Sequence, residues 1–170
     1  RRARRTLLPM FAVAIAPFVL AWAAYWLWTP DRTMNHGELI DPRPLPTTPL
    51  TLRDGGPFRL DAHRGKWVLV HAASGRCAEP CQRQLYYMRQ IRLAQGVNRS
   101  RIERVWLVTD QMQPPAEIAP LYDGVDVVRA AGSALLAALP AERDAGDHVY
   151  LVDPLGNLML RFPRDPDPKA

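Results

Sequence analysis

The longest apolar run of the chain lies near its start. Residues 7–28, LLPMFAVAIAPFVLAWAAYWLW, contain no charged side chain, and a helix of this length extends about 33 Å, which is enough to cross a bilayer. Its Trp and Tyr side chains, at 22, 25, 26 and 28, cluster toward one end, as in the interfacial belt of a membrane helix. The pattern predicts a single transmembrane helix over 7–28 that contacts lipid. The alternative, a helix packed against the core of a soluble protein, is not favoured because such a helix would carry a polar face.

Basic residues precede this run. They are Arg1, Arg2, Arg4 and Arg5. Positive charge is retained on the cytoplasmic side, so we expect segment 1–6 to be cytoplasmic and the rest of the chain to be exported. A cleavable signal peptide is the alternative, because residues 21–23, Ala-Trp-Ala, have the small-residue pattern of a cleavage site. The apolar run continues beyond that point to Trp28, which favours a retained anchor.

The segment that follows the anchor is rich in proline and has no helical or strand periodicity of apolar residues. Residues 29–49 contain five prolines, which predicts an extended linker between the membrane and a domain. Residues 50–170 are enough for one domain of ordinary size. Because the chain does not begin with Met and ends shortly after a strand pattern, we expect it to be trimmed at either end.

The centre of the domain alternates strand and helix patterns. Two short apolar runs, 67–73 and 104–109, predict buried strands, and 81–95 between them has apolar residues at helical spacing. These segments form a βαβ unit with parallel strands, which places the domain in the α/β class. The helix residues expected to face the sheet are Leu85, Met88, Ile91 and Ala94.

Shorter elements flank this unit. A glycine turn at 54–56 predicts a small hairpin before it. After it, the pattern predicts a short strand, a helix of about two turns, and two antiparallel strands joined by a Pro- and Gly-containing turn, over 125–129, 133–139, 149–152 and 158–162.

The only two cysteines of the chain lie where the first central strand passes into the helix. Cys77 and Cys81 are four positions apart in the segment SGRCAEPCQR. A helix N-terminus favours thiolate over thiol. Four helical positions separate the Cα atoms by about 6 Å, a distance that permits metal chelation or a disulfide. An inert structural disulfide is the least favoured of the three roles, after metal handling and dithiol redox chemistry, because closing so short a loop removes little unfolded-state entropy.

Two polar residues lie near the pair in the predicted fold. His71 is inside the first central strand, six residues before Cys77, and we expect a buried imidazole bonded to neighbouring backbone. Asp110 ends the second central strand, where we expect it to hold a turn or cap a helix.

Charge and motifs exclude several function classes. The net charge is +5, but the four N-terminal arginines supply most of it and leave +1 for the rest. With no basic stripe interleaved with aromatics, we predict no nucleic-acid binding. The chain also lacks a phosphate-binding glycine loop, a nucleophile elbow and a second cysteine pair for a zinc ribbon.

Taken together, these motifs resemble the thioredoxin-like superfamily, and within it the Sco/SenC group of membrane-anchored copper proteins that serve cytochrome c oxidase assembly. The likeness covers roughly 50–162 and lies in Arg-Gly-Lys at 64–66, the three-residue spacing of the cysteines, strand 104–110, and YLVDPLG at 150–156. Sco proteins usually carry a proline after each cysteine, whereas this chain has Ala78 and Gln82 there.

The resemblance implies a copper chaperone or metallation factor. Cys77 and Cys81 would bind copper with a histidine that, in the group, lies about eight residues before the aspartate of the D-P-x-G turn. Ala145 occupies that place here, and His148, five residues before Asp153, is the candidate third ligand. Two soft sulfurs and an imidazole suit copper.

The resemblance also implies a location and a partner. We expect a single-pass inner (plasma) membrane protein with its domain in the periplasm, in contact with the bilayer through 7–28. The partner would be the copper-site subunit of cytochrome c oxidase or another assembly factor.

Two alternatives remain open. One is a thiol–disulfide oxidoreductase that reduces the oxidase's copper-site cysteines, with Cys77 as the more exposed, attacking thiol and Cys81 as the resolving thiol. The other is a non-catalytic assembly or interaction protein with a structural disulfide.

Overall fold

A computed structural model describes residues 2–27, 37–141 and 143–163. The chain divides into two units, 1–34 and 35–170. Parts of the predicted organisation lie outside the described residues: the last residue of the predicted transmembrane helix, Trp28, the beginning of the linker, at 29–36, and the end of the chain, at 164–170.

Helix α1, Arg2–Leu27, contains residues 7–27 of the apolar run and includes Pro9 and Pro17. Its segment Pro9–Leu27 is long and apolar enough to cross a membrane, and none of it is buried in protein. Prolines are tolerated inside membrane helices. The helix therefore has the length and surface expected of the predicted anchor.

The second unit is built on one mixed sheet of eight strands. Its order is β1-β8-β7-β4-β5-β6-β2-β3. The strands are β1 Glu38–Pro44, β2 Leu50–Leu52, β3 Pro57–Phe58, β4 Trp67–Ala73, β5 Ile102–Val108, β6 Asp126–Arg129, β7 His148–Val152 and β8 Asn157–Pro163. Strand β5 runs parallel to β4 and β6, and the other pairs are antiparallel.

The described residues of this unit form three α-helices: α2 Glu79–Ala94, α3 Ala119–Tyr122 and α4 Ala134–Ala137. Short 3-10 segments occupy Leu60–His63, Gly96–Arg101, Ala116–Ile118 and Ala145–Asp147. Helix α2 begins two residues earlier than expected, with Pro80 in its first turn, where proline is favoured. Helix α4 has one turn, not two, and the Ser133 side chain caps it by accepting from Leu136 N.

The two faces of the sheet carry separate apolar clusters. Along β4, Val68 and Val70 pack in one cluster, and Leu69 packs in the other with both cysteines and with Leu85 of α2. Helix α2 therefore covers one face only. Its buried residues end at Met88. Ala94 is exposed, so the expectation that it faces the sheet is wrong. Ile91 is 40% exposed, but it lines an open apolar groove with Leu69 of β4 and Ile102 of β5, so it faces the sheet as expected.

Strand β1 lies inside the segment expected to be an extended linker. It pairs antiparallel with β8, with an irregularity in the pairing between Leu39 and Arg43. Its sequence, ELIDPRP, includes Pro42 and Pro44, which cannot donate to a central ladder. An edge strand tolerates proline, because there the missing N–H can face solvent.

Candidate thiol site

Cys77 and Cys81 form a disulfide in the structure, with Cα atoms 5.0 Å apart. Cys77 lies in the loop that follows β4, and Cys81 is the third residue of α2. Both residues are buried, with exposed fractions of 1% for Cys77 and 8% for Cys81. The expectation that Cys77 is the more exposed is wrong, because it packs into the cluster that contains Leu85 and Trp106.

The cysteine loop, residues 74–78 between β4 and α2, is a tight turn in which Cys77 has an unusual backbone conformation. Cys77 has φ of 44°, the left-handed region, and no other non-glycine residue in the described part of the chain has a positive φ. This conformation costs on the order of 1 kcal/mol and persists where surrounding contacts impose it. Here the Cys77 amide donates to Ser74 O at 3.0 Å, and the Gln82 side chain donates to Cys77 O at 2.9 Å.

Asp110 ties this loop to the segment that follows β5. Its Oδ1 accepts from the amides of Gly75, at 2.9 Å, and Met112, at 3.0 Å. The hydrogen bond from the Ser74 side chain, followed by the Gly75 amide, lowers the pKa of Asp110. The expectation that Asp110 holds a turn is confirmed, and the turn it holds is the start of the cysteine loop.

His71 lies inside β4 and is fully buried. Its Nδ1 is 3.0 Å from the carbonyl oxygen of His148. Because a carbonyl only accepts, Nδ1 carries the hydrogen, and the predicted bond to neighbouring backbone is confirmed. Its Nε2 is buried and has no hydrogen-bond partner among the described residues. Burial also lowers the pKa of His71, which favours the neutral imidazole.

His148 is placed on the other face of the sheet. Its ring lies 5.8 Å from the ring of Tyr150, and Tyr150 packs in the cluster opposite the cysteines. Val149, the residue between them, packs with the cysteines. Side chains alternate along a strand, so the structure brings Cys77 and Cys81 together but does not bring His148 to them.

These positions limit how copper could be held. Two cysteine sulfurs suit Cu(I) once they are reduced. Among the described residues, however, no group of three or more His, Cys, Asp or Glu side chains could hold a metal ion. The nitrogen donor expected from His148 is therefore not part of the site, and the residues present offer two sulfurs.

The fold and the site define a class of protein. A mixed α/β sheet, with a cysteine pair between a central strand and the helix that follows, is the arrangement of a thioredoxin-like domain, here preceded by a membrane-type helix. The chain belongs to the family described as transmembrane-like, thioredoxin-like, C-terminal domain, whose model matches residues 67–170. This family and helix α1 together support a single-pass membrane protein.

Solved structures share this fold. The Sco1 protein from Thermus thermophilus has 19% identity and a TM-score of 0.57, and the match covers 81% of this chain and 91% of that one. Copper-bound ScoI from Bradyrhizobium japonicum has 16% identity and a TM-score of 0.55, with 72% and 91% covered. The thioredoxin domain of a thiol-disulfide oxidoreductase from Bacteroides vulgatus has 17% identity and a TM-score of 0.53, with 73% and 89% covered.

At these identities the likeness is one of fold, and it confirms the thioredoxin-like, Sco-like architecture expected from the sequence. No curated protein matches the chain.

Proposed function

We propose that this chain is a membrane-anchored thiol–disulfide oxidoreductase whose Cys77–Cys81 pair alternates between disulfide and dithiol. The observation that carries this proposal is the disulfide itself, closed across four positions where β4 passes into α2. A disulfide that closes so short a loop contributes little to stability, which favours a redox role over a structural one. The fold shared with a thiol-disulfide oxidoreductase supports the same conclusion.

The reaction is an exchange of two electrons and two protons. One thiolate of the reduced pair attacks a disulfide of the partner and forms a mixed disulfide. The second cysteine then attacks that bond, so the partner leaves as a dithiol and the Cys77–Cys81 disulfide is formed. A second dithiol, which is itself oxidised to a disulfide, returns the pair to its reduced state.

The partner we propose is the copper-site subunit of cytochrome c oxidase or another factor in its assembly. Copper binds cysteine as thiolate, so the oxidase's copper-site cysteines must be reduced before the metal enters. The arginines at the start of α1 support a cytoplasmic N-terminus and a periplasmic domain. The Sco-like fold supports a role beside a membrane oxidase.

The proposal predicts a reversible disulfide. The full chain in detergent would be equilibrated in dithiothreitol buffers, and its free thiols would be counted by alkylation and mass measurement. We expect a midpoint above about −300 mV, because structural disulfides generally lie below that value. We also expect Cys77→Ser or Cys81→Ser to abolish turnover of a disulfide substrate, while one of them traps a mixed disulfide.

Two results would count against this function. A pair that stays oxidised down to about −300 mV would indicate the structural disulfide of a non-catalytic assembly protein. The same conclusion would follow if both serine variants retained full activity in oxidase assembly. The cysteine that remains in the variant that traps the mixed disulfide is the attacking thiol. This experiment is needed because the exposed fractions of the two residues do not assign that role to Cys77.

A copper chaperone is the second candidate, favoured by the fold shared with a copper-bound ScoI. In this function copper is the cargo, and reduced Cys77 and Cys81 would carry it to the oxidase. Anaerobic addition of Cu(I), followed by competition with a Cu(I) chelator, tests the candidate. Retention of about one copper per chain that is lost in Cys77→Ser and Cys81→Ser would support it.

His148→Ala is the matched variant for this experiment. Because His148 lies on the face of the sheet opposite the cysteines, we expect it to retain as much copper as the wild type. Release of all copper from the wild type to the chelator would exclude the chaperone. If the wild type retains copper and His148→Ala does not, His148 is a copper ligand together with the two sulfurs.

A further inference from the structure

The His71 side chain lies on the same face of the sheet as the disulfide. It is two residues after Leu69 in β4, and Leu69 packs in the cluster that contains both cysteines. Side chains two positions apart on a strand share a face. The Cα partners of His71 in the neighbouring strands are Trp106 and Val149, which belong to the same cluster. The imidazole is therefore surrounded by residues that pack with the cysteines.

Helix α2 covers this face and points Cys81 toward the sheet. The buried residues of the helix follow one stripe: Cys81, Gln84, Leu85 and Met88. Cys81 lies in the first turn of the helix and packs in the same cluster as Ala73, the last residue of β4. The helix therefore holds the sulfur of Cys81 on the side where His71 is buried.

The free nitrogen of His71 is an acceptor without a donor. Since Nδ1 carries the hydrogen that is donated to His148 O, Nε2 presents a lone pair. It has no partner among the described residues, and an unsatisfied buried acceptor is destabilising. The nearby indole of Trp106 donates to Ala73 O, at 3.3 Å. A disulfide has no hydrogen to donate, whereas a reduced cysteine does.

We infer that Nε2 of His71 accepts a hydrogen bond from the thiol that Cys81 regains when the disulfide is reduced. This inference rests on the proposed redox function. On reduction an external dithiol supplies two electrons and two protons, the S–S bond breaks, and the reductant becomes a disulfide. The buried acceptor is unsatisfied in the oxidised form and satisfied in the reduced form. His71 is thus a positioning residue that favours the dithiol, the form that attacks a partner's disulfide.

The test compares two histidine variants of the full chain in detergent. In His71→Asn, the amide nitrogen can still donate to His148 O in place of Nδ1. The amide oxygen then takes the place of the ring's Cδ2, so there is no acceptor at the position of Nε2. The matched control is His148→Asn. His148 also has a buried Nδ1 with no hydrogen-bond partner in the described part of the chain, but it lies on the opposite face, beside Tyr150. The equilibrium constant for reduction by dithiothreitol would be measured by thiol alkylation for each protein.

We expect His71→Asn to lower this equilibrium constant about tenfold, which corresponds to about 30 mV for a two-electron couple. His148→Asn should stay within about twofold of the wild type. If His71→Asn matches a wild type that exchanges reversibly, the inference fails and the oxidoreductase function stands. If the wild-type disulfide resists reduction altogether, the proposed function fails and the inference fails with it.

Thermal unfolding of both redox forms separates this role from simple packing. The inference predicts that His71→Asn lowers the unfolding midpoint of the reduced form more than that of the oxidised form, because only the reduced form loses a hydrogen bond. An equal shift in the two forms would mean that His71 only fills space in the core, and it would overturn the inference.

Discussion

Replacing Gly75 with alanine is expected to lower the free energy of unfolding by about 2–4 kcal/mol. A Cβ at this position would lie 2.6 Å from the carbonyl carbon of Met112 and closer still to its oxygen. The obstacle is backbone, so a side-chain rotation cannot remove it. The Gly75 amide also donates to Asp110, and the loop cannot shift without weakening that bond. Urea unfolding of the full chain in detergent measures the effect.

Gly56→Ala is the control for this substitution. The nearest atoms to its added Cβ are side-chain atoms of Asp54, at 3.3 Å, and Leu52, at 3.5 Å. We expect a change within about 0.5 kcal/mol, since the clash is slight and alanine restricts the unfolded chain. A Gly75→Ala protein as stable as Gly56→Ala would contradict this prediction. It would show that the cysteine loop can move away from the Met112 segment without loss of stability.

Trp106→Ala is expected to cost about 3–5 kcal/mol, the largest effect we predict for a single side chain. Trp106 is fully buried in the cluster that contains both cysteines, and its ring lies 5.9 Å from the ring of Tyr122. Its removal leaves a cavity beneath the cysteine loop. Denaturant unfolding and the rate of disulfide reduction should both respond, because the loop loses its support.

Trp106→Phe separates packing from hydrogen bonding at this position. Phenylalanine keeps most of the buried ring but cannot donate to Ala73 O. That carbonyl still accepts from the amide of Thr109, at 3.1 Å, so no buried acceptor is orphaned. We expect a loss of about 1–2 kcal/mol. A loss as large as that of Trp106→Ala would mean that the indole hydrogen bond, and not the volume, holds the cluster together.

The central βαβ unit could be predicted because its signals are local. The apolar run 67–73 is bounded by polar and glycine residues, and the observed strand β4 has the same bounds. The cysteine loop, α2 and β5 follow within two residues of their expected limits. These three elements also pack on one another in chain order, β4 beside β5 with α2 against both, so pattern and structure agree.

Strand β1 could not be predicted in the same way. Its segment contains Pro42 and Pro44 and has no alternating pattern, and its partner β8 follows more than a hundred residues later. A strand that forms only because a distant edge accepts it leaves little local signal. The same sequence therefore indicated a linker.

The positions of the two histidines illustrate a second limit. The D-P-x-G turn located the end of β7 correctly, but it does not fix which residues face the cysteines. A shift of one residue moves a side chain to the opposite face, and the β7 residue that packs with the cysteines is Val149, one position after His148. His148 therefore faces away from the thiols, and His71, expected to be an ordinary core residue, lies on their side.

Strand β1 also has a consequence for the behaviour of the protein in a crowded membrane. It forms one edge of the sheet, and an exposed edge is a template onto which a strand from another chain can add. Molecules tethered to one bilayer surface meet repeatedly with similar orientations. Pro42 and Pro44 interrupt the row of N–H donors on this edge, which protects neighbouring molecules from edge-to-edge aggregation.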